Sequence, residues 1–307
     1  MATLRRLAIA VVAVVAAILL LMREAGQTDY KSSIEGWRKQ REARLQADDG
    51  WLTVAGLFWL EEGPNRIGTD AAGEIVLPPG SAPGRVGVLE FHDGRATFRA
   101  EKGVAVTCAG KPVTTMELKP DVSGSPDVLA VADLSMFVIK RGARYAIRLR
   151  DKNASARREF RGLSWFPVDE KYRVTASFVP YEPPRPIPIP NILGEVEEMP
   201  CPGYASFRIG GRELRLEPVL EEPGATELFY IFRDLTSGKE TYPAGRFLYS
   251  EMPRHGMVVL DFNKAYTPPC AFTPYATCPL PPKQNWLDLR VEAGEKTYGH
   301  HGARQSP

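Results

Sequence analysis

Histidine and cysteine are scarce in this chain. Among 307 residues there are 4 of each. The side chains that most often serve as base, nucleophile or metal ligand near neutral pH are therefore few. No Gly-x-Ser-x-Gly elbow is present. The cysteines form no Cys-x-x-Cys pair, and no His-x-x-x-His run accompanies them, so no metal site is implied. A histidine-assisted nucleophile would have to use His92, in a turn, or His255, beside Pro253, Arg254 and Gly256. An excess of one charge sign is missing too, with 39 Lys+Arg against 37 Asp+Glu. Arg5, Arg6, Arg23 and Glu24 account for the whole net charge of +2. The body has no global footprint for nucleic acid or an anionic surface. No motif calls for a cofactor.

Only one long apolar run exists, Leu7 to Met22, sixteen residues preceded by Arg5 and Arg6. A basic start and an apolar core mark a signal-anchor or signal peptide over residues 1–25. Arg23 spoils the pairing of small residues that a cleavage site before or after Ala25 would want. The expectation is an inner-membrane anchor through residues 7–22 with the body in the periplasm or exterior; the alternative is secretion after cleavage.

What is abundant is glycine and proline, 27 of each, spread along the chain. This favours many short strands joined by turns. One amphipathic helix is predicted over 30–50. Ser32 to Glu35 fits a capping box, and Ile34, Trp37, Arg41 and Leu45 share a face. Residues 51–155 then read as β: an apolar strand pair in WLTVAGLFWL, strands around 66–68, 74–78, 87–91, 96–100 and 104–108, and a hairpin from Met136 to Leu149. Asp93-Gly94 is a strong hairpin signal. In the last arm Tyr145, Ile147 and Leu149 should face inward and Arg144, Arg148 and Arg150 solvent. The run from Ile67 to Val113 resembles the strand order of a forkhead-associated sandwich. The phosphothreonine-reading residues of such domains are missing: Thr69 follows Gly68, and there is neither Ser-x-x-His nor Asn-Gly.

Residues 160–298 form a second β region. Pro180 to Pro190 reads as an extended strut, with Ile187 and Ile189 alternating as in an edge strand. Glu227 to Asp234 reads as a strand buried on both faces, and Leu287 to Ala293 as a final strand. The fold class is thus mainly β: two packed β-sandwich or barrel-like modules preceded by a membrane-anchor helix and one short amphipathic helix.

The densest segment is Asp261 to Pro282, with two cysteines and six prolines. Prolines exclude a helix or central strand, and a long ordered loop is often functional. Together GWLTVAGLFWL, FRDLTSGKETYPAGRFL, DFNKAYTPPCAFTPYATCPLPP and the Asn-Trp-Leu with AGEK resemble the uncharacterised prokaryotic family known as domain of unknown function 1684. The resemblance runs from about Trp37 to Tyr298 and implies no reaction, cofactor or catalytic residue.

Candidate site residues are Arg233, Asp234, Thr236, Tyr242, Arg246, Asp261, Asn263 and Asn285, polar groups at strand ends or in the loops beyond them. They suit a small-molecule pocket or a structural network in which Arg233 and Arg246 pair with Asp234, Asp261 and loop carbonyls to pin the proline-rich loop. Arg233, Arg246, Asp261 and Asn263 are expected to meet. A hydrolase using Asp261 as acid/base is the enzymatic alternative. Cys270 and Cys278, eight positions apart, are candidates for a disulfide. The favoured function is binding of a small ligand or envelope partner through residues 233–285.

Overall fold

A computed structural model describes residues 28–299. The chain is mainly β, in several sheets. Besides short 3-10 turns, the described residues contain a helix over 28–46 and a single helical turn at Ser155–Arg158. The expected membrane segment at 7–22 and the tail beyond 299 lie outside the described residues. Among the described residues no helix is long and apolar enough to cross a membrane.

The first group of strands makes two facing sheets. One has six strands, in the order Val54–Trp59, Arg144–Asp151, Leu134–Arg141, Leu129–Val131, Thr107–Cys108, Lys111–Pro112. The other has five: Ile75–Val76, Gly63–Gly68, Gly87–His92, Arg95–Ala100, Thr115–Leu118. Alternate residues of both sheets, among them Ile67, Leu89, Phe98, Met136, Ile147 and Leu149, fill one core. Asp93 and Gly94 take φ of 49° and 78°, the double left-handed turn that matches strand twist. Two expectations need correction. WLTVAGLFWL is not a strand pair: Trp51–Thr53 is a 3-10 turn leading into a single strand. Arg148 does not face solvent. It is 5% exposed, because Trp51 and the loop that carries Cys278 lie against it.

The second group is built on a long antiparallel arm, Arg173–Pro190 against Val196–Ile209. Arg212–Leu216 and Met257–Asp261 flank it to make four strands. The predicted strut is thus a paired strand, with Ile187 and Ile189 turned inward. A two-stranded ribbon, Glu227–Phe232 with Arg246–Glu251, packs beneath. Leu228, Tyr230 and Phe232 enter one core and Phe229 and Ile231 another, so the strand is buried on both faces as predicted. Leu287 to Ala293 is not a strand; its carbonyls are used otherwise, as shown below.

The helix packs on the second region and on the 3-10 turn that leads into the first strand. It is already helical at residue 28, so Ser32 and Glu35 sit inside it and form no capping box. Its predicted face holds: Ile34 and Leu45 are fully buried, and Trp37 meets Trp165 edge-on at 5.8 Å. The two groups are stitched by Thr273 Oγ1 donating to the Val54 carbonyl at 3.1 Å, Arg141 Nε to Thr277 Oγ1 at 3.0 Å, and Arg144 with Glu195 at 2.8 Å.

Ile34→Ala leaves a cavity where the helix meets the body. It should cost about 3 kcal/mol in urea unfolding. A loss below about 1 kcal/mol would show that the helix is not docked.

Candidate functional site

The candidate residues form three knots, and strand register decides which residue enters which. Phe232 lies opposite Arg246 in the ribbon, so Arg246 points at the turn that begins with Asp234. Asp261 lies opposite Arg173 in the other sheet. The expected meeting of Arg246 with Asp261 therefore does not occur.

In the first knot Arg246 is completely buried. Its Nη2 donates to Asp234 Oδ1 at 3.1 Å and to the Val291 carbonyl at 3.0 Å. Its Nη1 donates to the Ala293 carbonyl. The rest of the Asp234 carboxylate accepts from Thr236 Oγ1 at 2.9 Å, Thr236 N at 3.2 Å and Val291 N at 2.7 Å. Thr236 in turn meets Thr241 at 2.9 Å. The segment read as a last strand is thus held by a guanidinium and a carboxylate instead of a neighbouring strand.

The second knot joins the sheet to the helix. Tyr30 Oη donates to Asp261 Oδ1 at 2.8 Å, and Asn263 N reaches the same oxygen at 3.2 Å. Asn263 holds the backbone of Asp169 both ways, accepting from its N–H at 3.0 Å and donating to its carbonyl at 2.9 Å. Burial, then the Asp261 carboxylate, raises the Tyr30 phenol well above its ordinary range.

The third knot is a backbone clip. Asn285 Oδ1 accepts from Glu217 N at 2.8 Å, and its Nδ2 donates to the Glu217 and Ile231 carbonyls at 2.8 and 3.0 Å. Arg233 lies beside it, half-buried, its guanidinium 4.6 Å from the centre of the Trp286 ring. Tyr242 belongs to none of the three. It packs with Leu45, Phe160 and Phe272 under the helix, and burial raises its phenol to about 12.

Two site residues escaped the sequence. Glu295 is wholly buried, paired with Arg41 at 3.4 Å, and its other oxygen has no partner. Burial raises its carboxyl from the usual 4.5 to about 7, against the pull of Arg41. Arg41 also donates to the Thr267 carbonyl at 2.9 Å. An arginine on the apolar face of the helix was the signal for it; nothing marked Glu295. All four cysteines are thiols, so the expected Cys270–Cys278 bond is not formed here. The Cys270 N–H instead donates to Cys278 Sγ at 3.1 Å. Among the described residues no group of three His, Cys, Asp or Glu is placed to hold a metal.

The concavities formed by the described residues include the following two. A shallow trough of about 500 Å³ crosses the four-stranded sheet between Val174 and Glu213. A cleft of about 330 Å³ lies between Phe58, Val76, Pro79 and Tyr275. Neither is lined by a residue of the three knots.

Residues 158–296 match the family described as Protein of unknown function (DUF1684). The expected resemblance therefore holds over the second group of strands, while the match leaves out Trp37 and the GWLTVAGLFWL segment. No curated protein matches the chain. A solution structure of an uncharacterised protein from Haloarcula marismortui is similar at 35% identity, over 46% of this chain and 79% of that one, with a TM-score of 0.39. Two structures of forkhead-associated domains align at 18% identity with a TM-score of 0.22, each over 31% of this chain and over 92% and 97% of their own. The first was studied for phosphothreonine-dependent interactions, and the second was solved in complex with the intracellular domain of Rv3910.

Breaking the first knot should unfold the protein readily. Asp234→Asn leaves a buried guanidinium without its counter-charge and should cost roughly 3–5 kcal/mol. Asp261→Asn loses charge-assisted bonds to neutral donors and should cost only about 1–2 kcal/mol. Denaturant melts of the two variants give the order, and a reversed order would refute the assignment of Arg246 to Asp234.

Glu295 makes stability depend on pH. Its folded pKa is raised, so the folded state holds the proton between about pH 4.5 and 7 while the unfolded chain has lost it. The stabilisation is full below pH 4.5 and disappears as pH rises through 7. Glu295→Gln should flatten that part of the profile; an unchanged slope would assign it elsewhere.

Proposed function

We propose that the protein is a binding module, tethered outside the cytoplasm, that takes a small, mainly apolar molecule in the cleft beside Tyr275. One observation carries the reading. The charged groups of the motif region are spent on internal bonds, whereas the 330 Å³ cleft is open and apolar. Its volume lies at the lower end of small-molecule sites, about 300–1,000 Å³. Its walls come from both strand groups: Phe58 and Leu149 from the six-stranded sheet, Val76 to Pro79 from the five-stranded one, Tyr275 from the proline-rich loop. Tyr275 and Val76 are 37% and 38% exposed, apolar surface that a ligand would cover.

The hydrolase alternative finds less support. Asp261 is occupied by Tyr30 and Asn263, and neither concavity is lined by it. A general base needs reach to a substrate proton.

The soluble body should bind the apolar fluorophore N-phenyl-1-naphthylamine saturably, with one site. Val76→Trp, which fills the cleft with an indole, should weaken it at least about tenfold without lowering the melting temperature. Unsaturable binding, or equal binding by Val76→Trp, would sink the cleft as the site.

The location rests on Arg5, Arg6 and the run Leu7 to Met22. An alkaline-phosphatase fusion at the C-terminus should be active in cells. An inactive fusion alongside a fluorescent cytoplasmic GFP fusion would place the body inside.

A further inference from the structure

One group of reactive side chains remains at the junction of the two strand groups, outside the three knots. Cys270 and Cys278 bracket the tip of the proline-rich loop. Cys278 is buried and Cys270 half-buried. The Cys270 N–H donates to Cys278 Sγ at 3.1 Å, which brings the two side chains together. Both pack in the cluster that contains Trp51. Over Trp51, at 5.1 Å from its ring centre, lies the Arg148 guanidinium.

Arg148 is unusual in what it lacks. Two of its nitrogens, Nε and Nη2, are buried with no hydrogen-bond partner. Burial, then the nearby Arg141, lowers it to about 10. Arg150 adds a second like charge. The acid that acts on it is Asp121, already held by Arg141 at 2.7 Å. An unpaired buried guanidinium is costly. The other groups acting on it from the covering loop are the sulfurs. Arg148 favours the thiolate at both cysteines, and Cys278 favours the charged form of Arg148. The remaining titratable neighbour is the Tyr242 phenol, whose own ionisation the two sulfurs oppose.

The two sulfurs are not equivalent. The neighbouring Cys278 holds Cys270 below the ordinary thiol range. Burial pushes Cys278 up. The more accessible sulfur is thus the better thiolate, and the one behind it stays protonated. That division is what an attacking and a resolving cysteine need.

We propose that Cys270 and Cys278 form a thiol–disulfide exchange site, with Cys270 attacking, Cys278 resolving and Arg148 as the positioning counter-charge. The co-substrate is a disulfide R–S–S–R′. The Cys270 thiolate attacks one sulfur, the S–S bond breaks, and R′–S⁻ leaves and takes up the proton Cys270 had given. Cys278 then loses its proton, attacks the Cys270 sulfur, and expels R–S⁻, which takes that proton. Two thiols become one disulfide, and the partner is reduced to R–SH and R′–SH. The inference rests on the cysteines and Arg148 alone and stands whether or not the cleft binds a ligand.

The test uses the full chain, reduced, with oxidised glutathione as the probe. The native protein should form the internal Cys270–Cys278 bond, reversibly with the glutathione ratio. Cys278→Ser should accumulate a glutathione adduct mapped to Cys270, while Cys270→Ser should leave Cys278 unmodified. In the Cys278→Ala background, Arg148→Met should move the pH midpoint of Cys270 alkylation by iodoacetamide upward and slow it about tenfold at pH 7. Arg148→Lys should restore most of the profile. No adduct on folded Cys278→Ser would overturn the proposal, as would an internal bond that no glutathione ratio opens. An alkylation profile indifferent to Arg148→Met would remove Arg148 from it. Should Arg148→Met fail to fold, the adduct pattern on the native Arg148 background decides.

Discussion

The buried pair of Arg246 and Asp234 is the interaction on which the second half of the molecule depends. A guanidinium fully out of water is tolerable only if its donors are met. Here a carboxylate and two carbonyls meet both Nη groups, and Asp234 is satisfied in turn by Thr236 and Val291. Only Nε is left over. The partners come from three distant parts of the chain: the ribbon, the turn after its first strand, and the segment Val291 to Ala293. No apolar side chain could impose that geometry, because burial is non-directional. The pair fixes where the last segment lies, and the last segment carries Glu295 under the helix.

The helix depends on that placement in turn. It presents Ile34 and Leu45 for burial, but its position along the body is set by polar contacts: Tyr30 to Asp261, Arg38 to the Phe166 carbonyl at 3.0 Å, Arg41 to Glu295 and Thr267, and Glu42 to Leu163 N. Polar residues that resemble a catalytic set at the ends of strands are consumed as joints. What they leave free are an apolar cleft and a pair of thiols, and these are where function is proposed.

Local features were legible in the sequence; long-range pairings were not. Asp93-Gly94 announced its turn because only a left-handed pair of residues fits a two-residue hairpin. The ribbon strand announced burial on both faces because every position from Leu228 to Phe232 is apolar. The helical stripe was right in its members and wrong in its start, since a capping pattern inside a helix looks the same as one at its end. Arg148 was misplaced because alternation tells which face a residue takes and not what covers that face. Arg246 found Asp234 and loop carbonyls as the network reading had it, but not Asp261, because sequence shows charges at strand ends and not which strands are neighbours. Leu287 to Ala293 has the composition of a strand, yet its carbonyls went to a side chain.

The long arm carries one more consequence. Asn191 N–H donates to the Glu195 carbonyl at 2.8 Å, and in this register Ile187 and Ile189 share its parity. The positions whose backbone turns outward are then the even ones, and from 184 to 190 each of these is proline. The free edge can accept hydrogen bonds, as Pro190 does from Leu280 N at 2.7 Å, but it has no N–H to offer. An incoming strand would find half its bonds missing. The prolines that straighten the arm therefore also keep it from templating growth with another copy, and an exposed sheet border is left inert toward aggregation.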